Sequence, residues 1–490
     1  MSHNPDVEVA MTTHNALPAS AIVGVIGAGT MGAGIAHVAA AAGHKVLLFD
    51  ARAGAAKDAY ERTWAQLQSS AAKGRMSAED AREIAGRITP CDALEDLVLA
   101  QLVIEAIIED LEVKRALFAN LESIVTPDAI LASNTSSISI TAIGAGLVRP
   151  ARFAGLHFFN PAPVMRLVEV VSGLATATAT IECLVATART WGKTTVKARS
   201  TPGFIVNRVA RPYYAEALRL YEERCAEPAT IDAILTESTG FRMGPFALMD
   251  LIGHDVNYAV SCSVFDAYYG DPRFRPSLVQ LELVQAGWLG RKSGRGFYDY
   301  GPASLNSEPE IAKVDPDVSP YEDALLAGDT IVDGMLVALT DGRTAAERAR
   351  VAGRPVILRD LVLDAGSSSR IGFCASQAVS DDQISRFVAT VSHAGKIATR
   401  LPDWPGLVGM RTVAMLANEA FEALLHGVAD ESEINLAMRF GVNYPLGPIE
   451  WARRIGLERV IQVIDAIFDI THDPRYRVSF GLRQAQEDEQ

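Results

Sequence analysis

One short segment restricts the architecture of this chain more than any other: Gly27-Ala28-Gly29-Thr30-Met31-Gly32. An apolar β-type run (21–26) precedes it, and an Ala-rich stretch that predicts a helix (31–42) follows. In such a strand–turn–helix the first glycine permits the tight turn, and the second lets the backbone approach a pyrophosphate. The third allows close helix–strand packing, and the helix N-terminus attracts the phosphates. Gly43 and His44 break the helix, and residues 45–49 predict a second strand that runs into Asp50. An acid there accepts the ribose hydroxyls of an adenosine and repels a 2′-phosphate, so the pattern favours NAD over NADP, with Arg52 nearby as the opposing feature.

Helical patterns follow at 55–74 and 77–86, then strands at 102–106 and 129–133. Strands alternating with helices predict a parallel, doubly wound sheet, an α/β Rossmann-type dinucleotide domain. At Thr201-Pro202-Gly203 the regime changes to helices punctuated by Pro and Gly, an all-α pattern. Residues 301–320, rich in Pro, Ser and acidic side chains, read as a linker. The expected division is a flexible tail (1–20), a dinucleotide domain (21–200), a helical domain (201–300), the linker, a small α/β segment (321–400) and a last helical region (401–490).

That last region repeats the first helical one. Pro202-Gly203-Phe204-Ile205-Val206-Asn207-Arg208 is echoed by Pro405-Gly406-Leu407-Val408-Gly409-Met410-Arg411. In the same register Glu216 matches Glu419, Gly244-Pro245 matches Gly447-Pro448, and Gly253 matches Gly456. A one-residue slip then aligns Asp271-Pro272-Arg273 with Asp473-Pro474-Arg475. We read a duplicated helical domain. Met410 stands where the first copy has Asn207, so the copy is not catalytic if Asn207 is. Between linker and repeat, strands at 335–339, 356–358 and 371–374 around a helical piece (344–352) suggest a vestigial βαβ unit. Its turn, Thr340-Asp341-Gly342-Arg343, lacks the glycine pattern and is assigned no cofactor.

With 490 residues the chain is too long for one core. A formal charge of −14 argues against a general nucleic-acid binder. The sequence contains no apolar run long enough to span a membrane. Five scattered cysteines form neither a disulfide framework nor a zinc site, which points to a reducing cytoplasm and no metal.

Chemistry concentrates in residues 153–171. His157 lies in a short apolar strand, Asn160-Pro161 turns the chain, and Glu169 sits on a returning strand rich in Val and Leu. A buried Glu beside His fixes the tautomer that a general base needs. Ser136, in Ser133-Asn134-Thr135-Ser136-Ser137, follows a strand at the carboxyl end of the sheet, where both a ligand site and a plain helix cap fit. Glu109 and Lys114 fit a surface helix as well as a site. Asn207 fits either a substrate contact or a buried amide, and Lys292, in a basic loop, either an anion contact or solvation. Lys73 and Arg75 end a long helix and could meet the phosphates of a bulky anion, although Arg75 reads better as solvated.

Taken together, GAGTMGAGIA, EAIIEDLEVKRALF, ILASNTSSISIT, FAGLHFFNPAPVMRLVEV, TPGFIVNR, MGPFALMDLIG and GRKSGRGFYDY resemble the (S)-3-hydroxyacyl-CoA dehydrogenases over about residues 20–300. The duplicated helical domain resembles the longer, fused 3-hydroxyadipyl-CoA and 3-hydroxybutyryl-CoA members associated with β-oxidation and phenylacetate catabolism. The resemblance implies NAD-dependent oxidation of a 3-hydroxyacyl-CoA, with His157 as base, Glu169 orienting it, and Ser136 and Asn207 holding substrate oxygens. It implies cofactor contacts at Gly27, Gly29, Thr30, Met31, Gly32, Asp50, Glu109, Lys114, Asn160 and Lys292, and a coenzyme A contact at Lys73. Gln66 departs from a Ser that some relatives use near the CoA. The alternative, a non-catalytic NAD-binding structural protein of the same fold, predicts decay at catalytic positions that are all intact here. Neither a nucleic acid nor a membrane is expected as partner. The assembly expected is a homodimer, or a monomer in which the repeat supplies an intrachain pseudo-dimer interface.

Overall fold

The computed structural model describes residues 16–302, 304 and 306–489, so most of the predicted flexible tail lies outside the described residues. These residues form two compact units, one ending at Phe204 and the other beginning at Ile205. The first alternates β1 (Ile22–Ile26), α1 (Thr30–Ala41), β2 (Lys45–Phe49), α2 (Ala55–Ala72), α3 (Ala78–Gly86), β3 (Ile88–Cys91), β4 (Leu102–Glu105), α4 (Leu111–Ile124), β5 (Ile130–Ser133) and α5 (Ile140–Gly144). It closes with β6 (Phe153–Phe158), β7 (Leu167–Ser172), α6 (Thr178–Thr190) and β8 (Thr194–Arg199).

Its eight strands are ordered β3-β2-β1-β4-β5-β6-β7-β8. The pairs from β3 through β6 are parallel, whereas β7 runs against β6 and β8 is parallel to β7. The β6–β7 connection is shorter than the dozen or so residues a parallel crossover needs, so these two strands can only form a hairpin. Strands covered on both faces read as continuous apolar runs; accordingly Val23, Val25, Leu48 and Ile104 are buried with Ile35 and Ala39 of α1. Each fully buried Val, Leu or Ile side chain contributes about 1.5–3 kcal/mol. The order reverses between β1 and β4, which opens a crevice at their carboxyl ends.

The second unit begins with α7 (Val206–Val209), α8 (Arg211–Glu222), α9 (Pro228–Glu237), α10 (Pro245–Ile252), α11 (His254–Ala267) and α12 (Leu278–Gln285). The described residues of 301–320 have no helix or strand, yet they are tied down: Ala312 N–H donates to the Ala398 carbonyl at 2.8 Å and Glu310 N–H to Thr230 Oγ1 at 2.9 Å. Next come β9 (Thr330–Val332), β10 (Met335–Leu339), α13 (Ala345–Ala352), β11 (Val356–Arg359), β12 (Arg370–Ala375), α14 (Asp381–His393) and β13 (Ile397–Arg400). They make a sheet ordered β13-β12-β11-β10-β9, in which β10–α13–β11 and β12–α14–β13 are both parallel crossovers. The turn after β10 differs from the first glycine loop. Asp341 is paired there with Arg343 and Arg348, and a side chain at Gly342 would collide with the Val463 carbonyl.

The chain ends with α15 (Gly409–Leu425), α16 (Glu431–Gly441), α17 (Pro448–Ile455), α18 (Leu457–Thr471) and α19 (Phe480–Asp488). Equivalent positions of the two helical regions share unusual backbone. Phe204 and Leu407 both occupy the left-handed region at φ 47 and 54°, and Gly253 and Gly456 lie at φ 99 and 97°. Asp232 and Asn435 accept from the first amides of α10 and α17 at the same offset. Between the α7–α8 segment and α15 the ion pairs are reciprocal. Arg208 Nε donates to Glu419 Oε1 at 2.6 Å, and Arg411 Nε donates to Glu216 Oε2 at 2.9 Å. Such i-to-j, j-to-i pairing is the signature of a two-fold interface, formed here inside one chain.

Candidate active site

His157 and Glu169 are paired residues of the β6–β7 ladder, so their side chains leave the sheet on the same face. His157 Nδ1 lies 2.6 Å from Glu169 Oε2; Glu169 is fully buried and His157 nearly so. With the carboxylate accepting the Nδ1 proton, the lone pair is placed on Nε2. Phe159 and Phe204 pack on the ring at centroid distances of 4.5 and 5.9 Å. Phe158 N–H donates to Asn134 Oδ1 at 2.8 Å, which fixes the His157 strand to the loop that carries Ser136.

That loop is held by a charge network drawn from two strand ends and from α4. Glu109 accepts from Thr135 Oγ1 at 2.5 Å and from the Ser136 and Ser137 amides at 2.9 and 3.1 Å. Burial alone would raise its pKa, but the Thr135 hydroxyl, the Lys114 ammonium and the Ser136 amide together hold it below the usual carboxylate range. Lys114 is not the solvated helix charge that one sequence reading expects. It is buried, 2.5 Å from Glu105 Oε1 and 3.3 Å from Glu109 Oε2, and Ser133 Oγ donates to the other Glu105 oxygen at 2.6 Å. Sequence reasoning missed Glu105, whose partners converge only once β4 and β5 are side by side.

In the glycine loop, Gly27 has φ 98°, and a side chain there would collide with the Ala106 carbonyl. A Cβ at Gly29 would meet nothing within 4 Å. The N-terminus of α1 has no side-chain cap. Open space at Gly29 and Thr30, in front of an uncapped helix start, fits the pyrophosphate of a dinucleotide, while Gly32 packs against the Gly27 carbonyl. Asp50 follows β2 and accepts the Ala28 amide at 2.7 Å, which ties its carboxylate to the same loop.

A cavity of about 570 Å³ runs from Gly29 and Thr30 past Arg62, Gln66 and Ser70 of α2 to the 161–164 turn. Arg62, another residue the sequence did not single out, donates from Nη2 to the Ala28 carbonyl at 3.2 Å. Asn160 is exposed at that turn, which Lys193 braces by donating to the Ala162 and Met165 carbonyls at 2.5 and 2.8 Å. Lys73 caps α2 in solvent, outside the lining of this cavity.

In the second unit, Asn207 lies half-buried on α7. Lys292 sits in a short 3₁₀ turn with its ammonium 2.5 Å from Asp255. Asp250 holds the segment that follows, accepting from the Phe297 and Tyr298 amides and the Tyr300 hydroxyl, each at 2.9 Å.

Residues 22–201 match the family model for the 3-hydroxyacyl-CoA dehydrogenase NAD binding domain. Residues 203–300 and 406–489 both match the C-terminal domain of the same family. The 3-hydroxyadipyl-CoA dehydrogenase of Escherichia coli (strain K12) is 47% identical over 464 residues, covering 94% of this chain and 96% of that protein. The chain belongs to the 3-hydroxyacyl-CoA dehydrogenase family. A crystal structure of 3-hydroxybutyryl-CoA dehydrogenase from Escherichia coli K12 superposes on this dehydrogenase with a TM-score of 0.90 at 45% identity, over 96% of this chain and 99% of that one. A probable 3-hydroxybutyryl-CoA dehydrogenase of Bacillus subtilis (strain 168) is 44% identical but covers only 56% of this chain. Residues 337–405 match a "3-hydroxybutyryl-CoA dehydrogenase reduced Rossmann-fold domain". The dehydrogenase thus carries an NAD-binding domain and two matches to one helical domain.

Proposed function

We propose that this enzyme oxidises (S)-3-hydroxyacyl-CoA thioesters to 3-oxoacyl-CoA with NAD, using His157 as the general base. The observation that carries the reading is the 2.6 Å contact between His157 Nδ1 and the buried Glu169 carboxylate, which places the basic lone pair on Nε2. Nε2 takes the proton of the substrate's 3-hydroxyl, and Glu169 stabilises the imidazolium that forms. NAD, when bound, supplies the acceptor for the hydride that leaves C3. Ser136, set by Glu109, and Asn207 hold the substrate oxygens so that the C–O–H group presents its proton to Nε2.

In this reading the loop of Gly27, Gly29, Thr30, Met31 and Gly32 receives the pyrophosphate and Asp50 the adenosine ribose. Glu109, Asn160 and Lys292 complete the cofactor site. Lys114, buried between two carboxylates, contributes by fixing Glu109. Lys73 and the 570 Å³ cavity lie toward the coenzyme A side. The substrate is 3-hydroxyadipyl-CoA or 3-hydroxybutyryl-CoA, the compartment the cytoplasm, and the duplicated helical domain takes the place of a partner subunit. The test is NADH formation with the (S) forms of both substrates, with His157→Ala as control. Turnover of either that collapses in the variant supports the reading, and NAD binding without turnover of either refutes it.

A further inference from the structure

Arg211 is a buried cation without a counter-ion. It is 7% exposed, and no carboxylate among the described residues forms an ion pair with it. Its Nε has no hydrogen-bond partner, and its single side-chain bond runs from Nη1 to Ser261 Oγ at 3.2 Å. A buried guanidinium left in this state is costly, because desolvation is not offset by an opposite charge. Burial accordingly pushes its pKa down, opposed by Tyr214, on whose ring the guanidinium lies at 4.8 Å, and by Tyr444, but by no carboxylate.

The side chain lines a cavity of about 50 Å³ between α8, α11 and α12, with Tyr214, Leu218, Phe274 and Gln280 among the other walls. At about 10–15 Å³ of such volume per water-sized group, this admits a carboxylate and a methylene or two. The other buried arginines on the wall are already neutralised. Arg219 pairs with Glu216, Arg273 with Glu419, and Arg475 with Asp473. Arg211 alone among these four lacks a carboxylate.

Its position relates it to the substrate. Ala210, between α7 and α8, keeps helical dihedrals, so Arg211 follows Asn207 by one turn on the same face. In an adipyl chain the distal carboxyl carbon lies three carbon–carbon bonds beyond the 3-hydroxyl carbon, of the order of one helical turn of about 5.4 Å. The repeat supplies an independent comparison. The position equivalent to Asn207 is Met410, and the one equivalent to Arg211 is Ala414, while the packing residues Arg208 and Glu216 are kept as Arg411 and Glu419. A residue needed only to build the helical domain would be expected in both copies.

We infer that Arg211 is the specificity determinant of this enzyme, taking the distal carboxylate of a dicarboxylic 3-hydroxyacyl-CoA whose hydroxyl Asn207 holds. This rests on the dehydrogenase reading given above. A site built around a buried charge strongly rejects the analogue that lacks its partner.

The test compares wild type, Arg211→Met and Arg211→Lys with (S)-3-hydroxyadipyl-CoA and (S)-3-hydroxybutyryl-CoA. Calorimetric binding of adipyl-CoA and butyryl-CoA, which lack the hydroxyl, is measured in parallel. In wild type the adipyl substrate is preferred, and in Arg211→Met the adipyl-to-butyryl ratio of kcat/KM falls by about 100-fold or more, with Arg211→Lys between. Adipyl-CoA affinity falls in step, while the melting temperature does not. Equal losses on both substrates, or an unchanged ratio, overturn the inference and leave the dehydrogenase reading standing. Wild-type turnover of neither substrate overturns both.

Discussion

His157 and Glu169 face each other across an antiparallel strand pair, with Nδ1 2.6 Å from Oε2. The carboxylate is fully buried beside the imidazole it orients. Removing the base by His157→Ala should lower kcat about 10²–10⁴-fold with little change in KM. Glu169→Gln should lose on the order of 10²-fold, since an amide supports the imidazolium less than a carboxylate does. NAD affinity, measured by fluorescence, should be the same in both variants. A variant that loses NAD binding in step with kcat would show the pair to be structural.

The glycine loop separates a fold requirement from a ligand requirement. Gly29 has φ −70° and open space where a side chain would project. Gly29→Ala should therefore melt within about 2 °C of wild type while NAD affinity falls about 10-fold or more, because the methyl group occupies the phosphate's position. Gly27→Ala should damage both, given its positive φ and the Ala106 carbonyl. Unchanged NAD affinity in Gly29→Ala would place the pyrophosphate elsewhere.

The reciprocal pairs Arg208–Glu419 and Arg411–Glu216 are almost fully buried. Arg411→Met removes the buried cation between Glu216 and Glu223 and leaves Glu216 with Arg219 alone, so it should cost roughly 3–5 kcal/mol in denaturant unfolding. The double replacement Arg411→Met with Glu216→Leu should cost less than the sum of the two single losses, although Arg219 and Glu223 then lose a partner as well. Additive losses would mean that the pair is not coupled.

Asp232 is held at a pKa of about 6 by burial, against which the Phe246 and Ala247 amides and the Tyr298 hydroxyl act. The native state then binds this proton more tightly than the unfolded chain does. Stability is lost as pH rises from the ordinary carboxylate range through about 6. Asn435, at the equivalent place in the repeat, shows that an amide can make the same cap. Asp232→Asn should gain roughly 1–3 kcal/mol relative to wild type between pH 4.5 and pH 7. A difference that does not change with pH would contradict the assignment.

What the sequence disclosed, and what it hid, divides by the range of the interactions. Gly27, Asp50 and the β1–α1–β2 unit are local, so spacing alone exposes them. His157 and Glu169 are joined by a hairpin, the shortest non-local contact there is. Glu105, Arg62 and Lys193 escaped notice because their partners are separated in sequence and meet only after the sheet and α2 have packed. The strand β8, TTVKAR, alternates too weakly for its pattern to stand out, and α14 opens with two aspartates that read as loop. The repeat was legible from residue identity, but the crossing of its arginines onto the opposite copy's glutamates was not. Arg211 could not be singled out at all, since its lack of a counter-ion is a property of the packed structure.

The most direct measurement is a single turnover with (S)-3-hydroxybutyryl-CoA and (S)-3-hydroxyadipyl-CoA carrying deuterium at C3. The account predicts that the label appears in the reduced nicotinamide, that the (R) forms transfer none, and that His157→Ala binds NAD yet transfers label at least 100-fold more slowly. Label transfer undiminished in His157→Ala, or none from either (S) substrate by enzyme that binds NAD, would contradict it.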